Sequence, residues 1–190
     1  SIVVHPAVKE ENYLVGNPKD SKFATLVNLW PNKGSATFYN VANALPEVKF
    51  LGIPGRYGEQ DIREGDNIEF GAHTHDMRDV YSKTRVVLMP SKYESFGRVA
   101  VEAACSGIPS LVSPTPGLKE ALGSAGIYCD TDDDFVRELK RLQHWKAYAT
   151  ASKKSRARFV ELQKQSAEEL SAMVVNLNTI AETGRMLRGW

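Results

Sequence analysis

The sequence predicts an α/β fold in which a doubly wound parallel sheet of about six strands lies between helices. Short apolar runs recur along residues 21–130, and each is bounded by glycine, proline, asparagine or serine. The runs are almost continuously apolar instead of alternating, which is typical of parallel strands that are buried on both faces. Helical patterns separate the runs, so strand and helix alternate with short loops between them.

The predicted elements follow one another in order along this core. The strands are residues 23–28, 48–53, 67–72, 85–90, 109–113 and 126–129. The spacing of apolar residues and the glycines that end helical runs predict helices at 35–45, 76–82, 98–106 and 116–122. A linker at 1–20 precedes this α/β core.

The last part of the chain, residues 131–190, is predicted to consist of C-terminal helices. Thr131 and three following aspartates form a cap for an amphipathic helix. The apolar face of that helix is expected at positions 135, 136, 139, 142 and 145. A second helical stretch is expected over about 152–180.

The end of the chain also carries a basic stretch, with nine basic residues and two glutamates between Arg137 and Lys164. Two interpretations stay open. The favoured one is a solvated helix face, and the other is peripheral contact with an anionic membrane surface or with a lipid-linked substrate.

The composition is that of a globular protein whose main partner is not nucleic acid. Of the 190 residues, 42% are hydrophobic and 25% charged, and the net charge is +1. No apolar run approaches the ~18 residues of a membrane span, and no signal peptide is recognised.

Cys105 and Cys129 stand outside any Cys-x-x-Cys pair, so we expect reduced, buried thiols and a cytoplasmic location. The chain begins with Ser1 in the manner of a strand, and we expect it to be part of a longer protein.

Glu94 and Glu102 frame a segment that follows the fourth predicted strand. In an open α/β sheet, ligands bind at the carboxyl edge of the strands, where this segment is expected to lie. The amides of Phe96, Gly97 and Arg98 begin a helix there, which suits a phosphate group. Glu102 lies in an apolar helix, where it is expected either to accept hydrogen bonds from a ribose diol or to pair with Arg98.

A second candidate phosphate site is the loop after the first strand, which begins at Asn28 and ends at Lys33 and Gly34. A lysine beside a helix N-terminus can hold a phosphate as a point charge, although a solvent-exposed lysine in a turn has the same pattern. The P-loop pattern and the Gly-x-Gly-x-x-Gly fingerprint are both absent, so the sequence does not support a P-loop or a dinucleotide site.

The same edge carries a glycine-rich loop at 52–58, in which Arg56 or Tyr57 either stacks on a base or belongs to a plain connection. His73 follows the third strand and is a candidate neighbour of that base. His73 and His75 have the spacing of two metal ligands, but no carboxylate or cysteine cluster joins them, so no metal is expected. His5 is expected to be an ordinary surface or packing histidine.

Taken together, these motifs resemble the C-terminal, donor-binding domain of a GT-B glycosyltransferase close to family 4. The resemblance covers roughly residues 3–130. Its most specific part is the Glu-x7-Glu motif from Glu94 to Glu102, with a Ser-Phe-Gly core. Pro-Asn-Lys-Gly at 31–34, Asp-Met-Arg-Asp-Val-Tyr at 76–81 and the run at 104–113 support it in that order.

The resemblance implies a role for each matched residue. Glu94 would be the catalytic residue that contacts the transferred sugar, and Glu102 would hold the ribose hydroxyls. Lys33 would bind the donor diphosphate, next to Gly34. The amides of Phe96 and Gly97 would face the sugar and the phosphates.

Two departures from the family pattern accompany these matches. Many members carry Gly-Arg where this chain has Val27 and Asn28, and many have Leu at the position of Arg98. We therefore expect Arg98 to replace the missing diphosphate cation, with Asn28 at the same site. The family retains the anomeric configuration and needs no metal and no cofactor besides the nucleotide-sugar donor.

The resemblance also implies a partner, an N-terminal acceptor-binding domain that these residues do not contain. Residues 166–190 would cross back to that domain, or would form a homodimer without it. The chain is expected to bind a nucleotide sugar without catalysing transfer. The alternatives are a non-catalytic sugar-nucleotide-binding module and another GT-B enzyme, such as a nucleotide-sugar epimerase.

Overall fold

A computed structural model describes residues 4–16, 21–56 and 58–187, with side chains described up to residue 181. Several positions named above lie outside the described residues. They are residues 1–3, residues 17–20 of the leading linker, Tyr57 and residues 188–190.

The described residues form one six-stranded sheet. Its strands are β1 (Phe23–Val27), β2 (Lys49–Ile53), β3 (Ile68–Phe70), β4 (Thr84–Met89), β5 (Ser110–Val112) and β6 (Ile127–Tyr128). They lie in the order β3-β2-β1-β4-β5-β6, and neighbouring strands are parallel. The doubly wound α/β prediction is thereby confirmed, since the strand order reverses between β1 and β4, where such folds bind ligands.

Six α-helices accompany the sheet in the described part of the chain. They are α1 (Ser35–Ala44), α2 (Arg78–Tyr81), α3 (Arg98–Cys105), α4 (Pro116–Leu122), α5 (Asp132–Gln143) and α6 (Trp145–Leu187). The predicted cap of α5 is confirmed: the Thr131 hydroxyl accepts from the Asp134 amide at 3.2 Å, and the Asp134 carboxylate accepts from the Thr131 amide at 3.0 Å.

The prediction that Trp145 belongs to the apolar face of the first C-terminal helix is wrong. That helix ends at Gln143, His144 adopts an extended conformation, and Trp145 begins α6 with 56% of its surface exposed. The break allows Tyr148 to enter the core, where the guanidinium of Arg85 lies 4.1 Å from its ring centre. This tertiary contact has no counterpart in the local apolar pattern.

The sheet separates two hydrophobic cores, as a doubly wound fold requires. Val86 and Leu88 of β4 pack on the side of α1 and α5, whereas Val87 and Met89 pack on the side of α3 and α4. Alternate residues of one strand therefore serve both cores. This double burial accounts for the continuous apolar runs in the sequence, and it gives the loops at the carboxyl edge a rigid base.

The described part of the leading linker, residues 4–16, packs against α3 and α6. Val8 is only 2% exposed. The amide of Val15 donates to the hydroxyl of Ser106 at 2.8 Å, and Arg156 forms an ion pair with Glu10 at 2.5 Å. These contacts hold the linker beside the helix that carries the second glutamate of the motif.

Ion pairs occupy much of the basic stretch. They are Arg137–Asp134, Arg141–Glu138, Arg156–Glu10, Arg158–Glu161 and Lys164–Glu168. This pairing favours the solvated helix face over a membrane-binding surface. Among the described residues, no helix combines the length and the apolar character that a bilayer span requires.

The far end of α6 has a different character. Its inward side chains, Phe159 and Leu162 among them, are buried as far as Ser166. Beyond that residue, apolar side chains at helical spacing are exposed: Leu170, Val174, Leu177 and Ile180, at 47%, 48%, 56% and 68%. The end of the helix thus presents an apolar face that nothing in the described part of the chain covers.

Both cysteines are free and buried, as predicted. Burial raises the pKa of Cys105 to about 11 and that of Cys129 to about 12. Neither thiol is ionised at neutral pH, so neither has the character of a nucleophile.

Candidate functional site

The candidate site lies at the carboxyl edge of the sheet, where β1 and β4 run side by side. The loops that follow these two strands enclose a cavity of about 300 Å³. Its lining residues are Leu26, Val27, Asn28, Lys33, Met89, Ser91, Glu94, Arg98 and Val99. Four of the predicted site residues, Asn28, Lys33, Glu94 and Arg98, therefore share one cavity.

Lys33 and Glu94 form an ion pair in this cavity. The Lys33 Nζ lies 2.6 Å from Oε1 of Glu94, and the hydroxyl of Ser91 donates to the same oxygen at 3.0 Å. The Glu94 side chain is 10% exposed and that of Lys33 29%. The carboxylate is thus held in place, while the ammonium group remains open to an anion from the cavity.

Two helices begin at this cavity, and both begin at a glycine with left-handed backbone. Gly34 precedes α1 with φ +88°, and Gly97 precedes α3 with φ +80°. A Cβ on Gly34 would lie 2.2 Å from the carbonyl oxygen of Pro90. Neither helix has a side-chain cap, and helix N-termini attract anions. The cavity therefore combines a lysine with two helix N-termini.

Glu102 lies one turn along α3 from Arg98 and is 6% exposed. The guanidinium of Arg98 lies 3.2 Å from Oε1 of Glu102. The Arg98–Glu102 ion pair, one of the two predicted alternatives, is therefore present. The hydroxyl of Tyr81 donates to Oε2 at 2.9 Å. Burial raises the pKa of the Glu102 carboxyl, and the hydrogen bond from Tyr81 opposes that rise. The sequence contained no signal that Tyr81 is the partner of Glu102.

The side chain of Asn28 forms hydrogen bonds with the neighbouring loop and, being neutral, supplies no charge to the cavity. Asn28 has a left-handed backbone, φ +71°, and its Oδ1 accepts from the Trp30 amide at 3.2 Å and from Gln60 at 3.0 Å. Gln60 in turn accepts from the amides of Leu29 and Gly55, at 3.0 and 2.7 Å. Sequence reasoning missed Gln60, which connects the loops after β1 and β2.

His73 does not join the residues around Lys33. It lines a separate cavity of about 290 Å³ after β3, and its Nε2 accepts from Nε of Arg56 at 2.8 Å. Arg56 also contacts His75. Within the described residues, no group of three or more metal-ligating side chains exists.

Phe96, in the loop of the Glu-x7-Glu motif, packs against His5. Its side chain is nearly buried, and its ring lies 5.4 Å from the ring of His5 in the leading linker. The two ring nitrogens of His5 contact Glu169 and Glu120, each at 2.8 Å. His5 thus links the linker to α4 and α6, behind the loop of the Glu-x7-Glu motif, and is more than a plain packing residue.

This cluster predicts a pH-dependent stability. The hydrogen bond to Glu169, opposed by burial and assisted by Glu120, raises the pKa of His5 above its usual 6.5. The contribution of His5 to the stability of the folded state is therefore complete below pH 6.5, and it is lost as the pH rises through the raised pKa. His5→Gln should lower the free energy of unfolding by about 1–2 kcal/mol at pH 6, and the difference should shrink toward pH 9.

Urea unfolding of both proteins across this pH range measures the effect. His144→Gln is the matched control, since His144 is exposed at the junction of α5 and α6. A difference between His5→Gln and wild type that does not change with pH would contradict the expected role of His5.

Comparison with known proteins gives a matching family and relatives of similar sequence. A family model described as Glycosyl transferases group 1 matches residues 20–144. The O-antigen chain mannosyltransferase RfbU of Salmonella typhimurium is 21% identical over 143 residues, which are 70% of this chain and 40% of that protein. D-inositol 3-phosphate glycosyltransferase of Streptosporangium roseum is 34% identical over 84 residues, 42% of this chain and 19% of that protein.

Solved structures share the fold of this chain. Sucrose-phosphate synthase from Thermosynechococcus elongatus has a TM-score of 0.74 at 21% identity, covering 92% of this chain and 51% of that one. Anabaena HepE in complex with UDP-glucose has a TM-score of 0.72 at 19% identity, covering 89% of this chain and 57% of that one. The chain thus spans about half the length of these two structures, and it belongs to the group 1 family of glycosyltransferases.

Proposed function

We propose that this chain is the donor-binding half of a retaining, metal-independent glycosyltransferase that uses a nucleotide-diphosphate sugar. The observation that carries the proposal is the cavity between β1 and β4. There, the Lys33–Glu94 pair lies between two uncapped helix N-termini. HepE, which shares the fold, was solved with UDP-glucose bound.

The diphosphate of the donor is the anion that this cavity suits best. Lys33 supplies one positive charge, and the amides of Phe96 and Gly97 at the start of α3 supply hydrogen-bond donors. Arg98 lines the same cavity, and its 58% exposed side chain can turn from Glu102 toward a phosphate. These groups would stabilise the leaving nucleoside diphosphate as its charge develops, which is the task that a metal performs in other transferases.

The two glutamates of the motif contact different parts of the donor in this proposal. Glu94, at the cavity wall, contacts the sugar that is transferred. Glu102, which is buried one turn along α3 from Arg98 and does not itself line the cavity, accepts hydrogen bonds from the ribose hydroxyls. Because both glutamates of the motif are present, we favour an enzyme over a non-catalytic binding module. Retention of the anomeric configuration rests on the resemblance to family 4.

The acceptor would bind to a second domain, and the exposed apolar end of α6 is the surface proposed to meet that domain. This chain covers only 51% and 57% of the two solved relatives, and the face of Leu170, Val174 and Leu177 is uncovered among the described residues. The isolated chain is therefore expected to bind donor nucleotide without transferring sugar. A homodimer through the same face is the alternative.

The test is calorimetry of the chain with UDP, GDP and ADP, in the presence and absence of a chelator. One nucleotide should bind, the chelator should leave its affinity unchanged, and Glu102→Gln should weaken it by about tenfold, the effect of losing a charged acceptor. Glu138→Gln is the matched control, since Glu138 is an ion-paired carboxylate on α5, away from the cavity. Equal affinity of Glu102→Gln and wild type, or binding that requires a divalent metal, would contradict the proposal.

A further inference from the structure

Tyr81 is the buried partner of the second glutamate of the motif. It ends α2 and has no exposed surface. Its hydroxyl donates a hydrogen bond of 2.9 Å to Oε2 of Glu102 and lies 3.4 Å from the carbonyl oxygen of Val99. Burial, reinforced by the Glu102 charge, raises the pKa of Tyr81 well above its usual value, so the hydroxyl remains a donor at neutral pH.

The Glu102 carboxylate has unlike partners: besides Tyr81 and Arg98, the hydroxyl of Tyr13 in the leading linker interacts with it and accepts from Arg98 at 3.3 Å. Oε2 meets the buried, neutral hydroxyl of Tyr81, whereas Oε1 lies 3.2 Å from the guanidinium of Arg98. The Arg98 side chain is 58% exposed, and ion pairs with exposed partners are weak. A ligand can therefore displace Arg98 from Oε1 far more easily than it can displace Tyr81 from Oε2.

From this asymmetry we propose that Tyr81 is a positioning residue that makes the site selective for ribose. By holding Oε2, Tyr81 stops the carboxylate from rotating about its last torsion and leaves Oε1 to accept from a ribose diol. Its hydrogen bond also favours the ionised form of Glu102 in a place where burial disfavours it. The inference rests on the proposed function, in which Glu102 binds the ribose hydroxyls.

Tyr81→Phe tests this role, because it removes the donor and keeps the ring. Calorimetry compares UDP, GDP and ADP with the 2′,3′-dideoxy form of each. The wild-type chain should prefer the ribose form of its nucleotide by about tenfold, since the dideoxy form has no hydroxyl groups to donate to Oε1 of Glu102. In Tyr81→Phe this preference should fall to about twofold, with the affinity for the dideoxy form unchanged. A general packing defect would weaken both forms equally.

Tyr128→Phe is the matched control. The hydroxyl of Tyr128 donates to the carbonyl oxygen of Gly123 at 2.7 Å, and the variant should keep the ribose preference of the wild type. The double variant Tyr81→Phe, Glu102→Gln should lose no more preference than Glu102→Gln alone, because both changes act through one carboxylate.

The outcomes separate the inference from the function on which it rests. If Glu102→Gln removes the ribose preference while Tyr81→Phe retains it, the positioning role is wrong and the proposed function stands. If the wild type has no ribose preference, or if Glu102→Gln keeps it, the proposed function fails and the role of Tyr81 fails with it.

Discussion

Glu94→Gln should lower sugar transfer by about 10²–10³-fold in an enzyme that contains both domains, the usual effect of removing one electrostatic contact to the reacting group. The amide keeps the size of the side chain and can still accept from Ser91, which now lies 3.0 Å from the carboxylate. What disappears is the negative charge that we propose to lie beside the transferred sugar. Lys33 also loses its counter-ion at 2.6 Å.

The loss of that counter-ion makes the prediction specific. In this chain alone, Glu94→Gln should bind nucleoside diphosphate at least as tightly as the wild type, because Lys33 becomes fully available to the phosphates. Transfer rates and calorimetry on the same variant measure the two effects, with Glu138→Gln as the matched control. A variant that keeps most of its transfer activity, or that loses nucleotide affinity together with activity, would contradict the assignment of Glu94.

Gly117→Ala should destabilise the fold by about 2–3 kcal/mol, the usual effect of an added group in a packed core. Gly117 is the second residue of α4, and a Cβ there would lie 2.3 Å from the carbonyl oxygen of Glu94 and 2.5 Å from backbone atoms of Ser95. Backbone cannot move aside as a flexible side chain can. Either α4 or the loop that carries Glu94 must shift, so nucleotide binding should weaken as well.

Gly16→Ala is the control for this change, since nothing lies within 4 Å of its added Cβ. It should change the free energy of unfolding by less than about 0.5 kcal/mol. Denaturant unfolding and nucleotide calorimetry on both variants test the prediction. If Gly117→Ala unfolds with the same free energy as Gly16→Ala, the contact between α4 and the Glu94 loop is not a tight one.

The fold class and the place of the site follow from local patterns in the sequence. Continuous apolar runs indicate strands that are buried on both faces, and glycines at 34, 97 and 107 mark where helices begin or end. In a parallel sheet the loops after every strand lie at one edge. The loops that carry Lys33 and Glu94 could therefore be assigned to the same edge before any contact was known.

The partners of these side chains, in contrast, come from the packing of elements that are distant in the chain. Lys33 and Glu94 are 61 residues apart, and His5 and Glu169 are 164 apart. Tyr81 meets Glu102 because α2 and α3 pack on the same face of the sheet, and neither residue carries a local sign of the other. Periodicity and capping act over a few residues, so they determine which elements form. The neighbours of each functional side chain depend on how those elements pack. For Glu102, packing therefore decides both the pKa of the carboxyl and the hydrogen bonds that it can form.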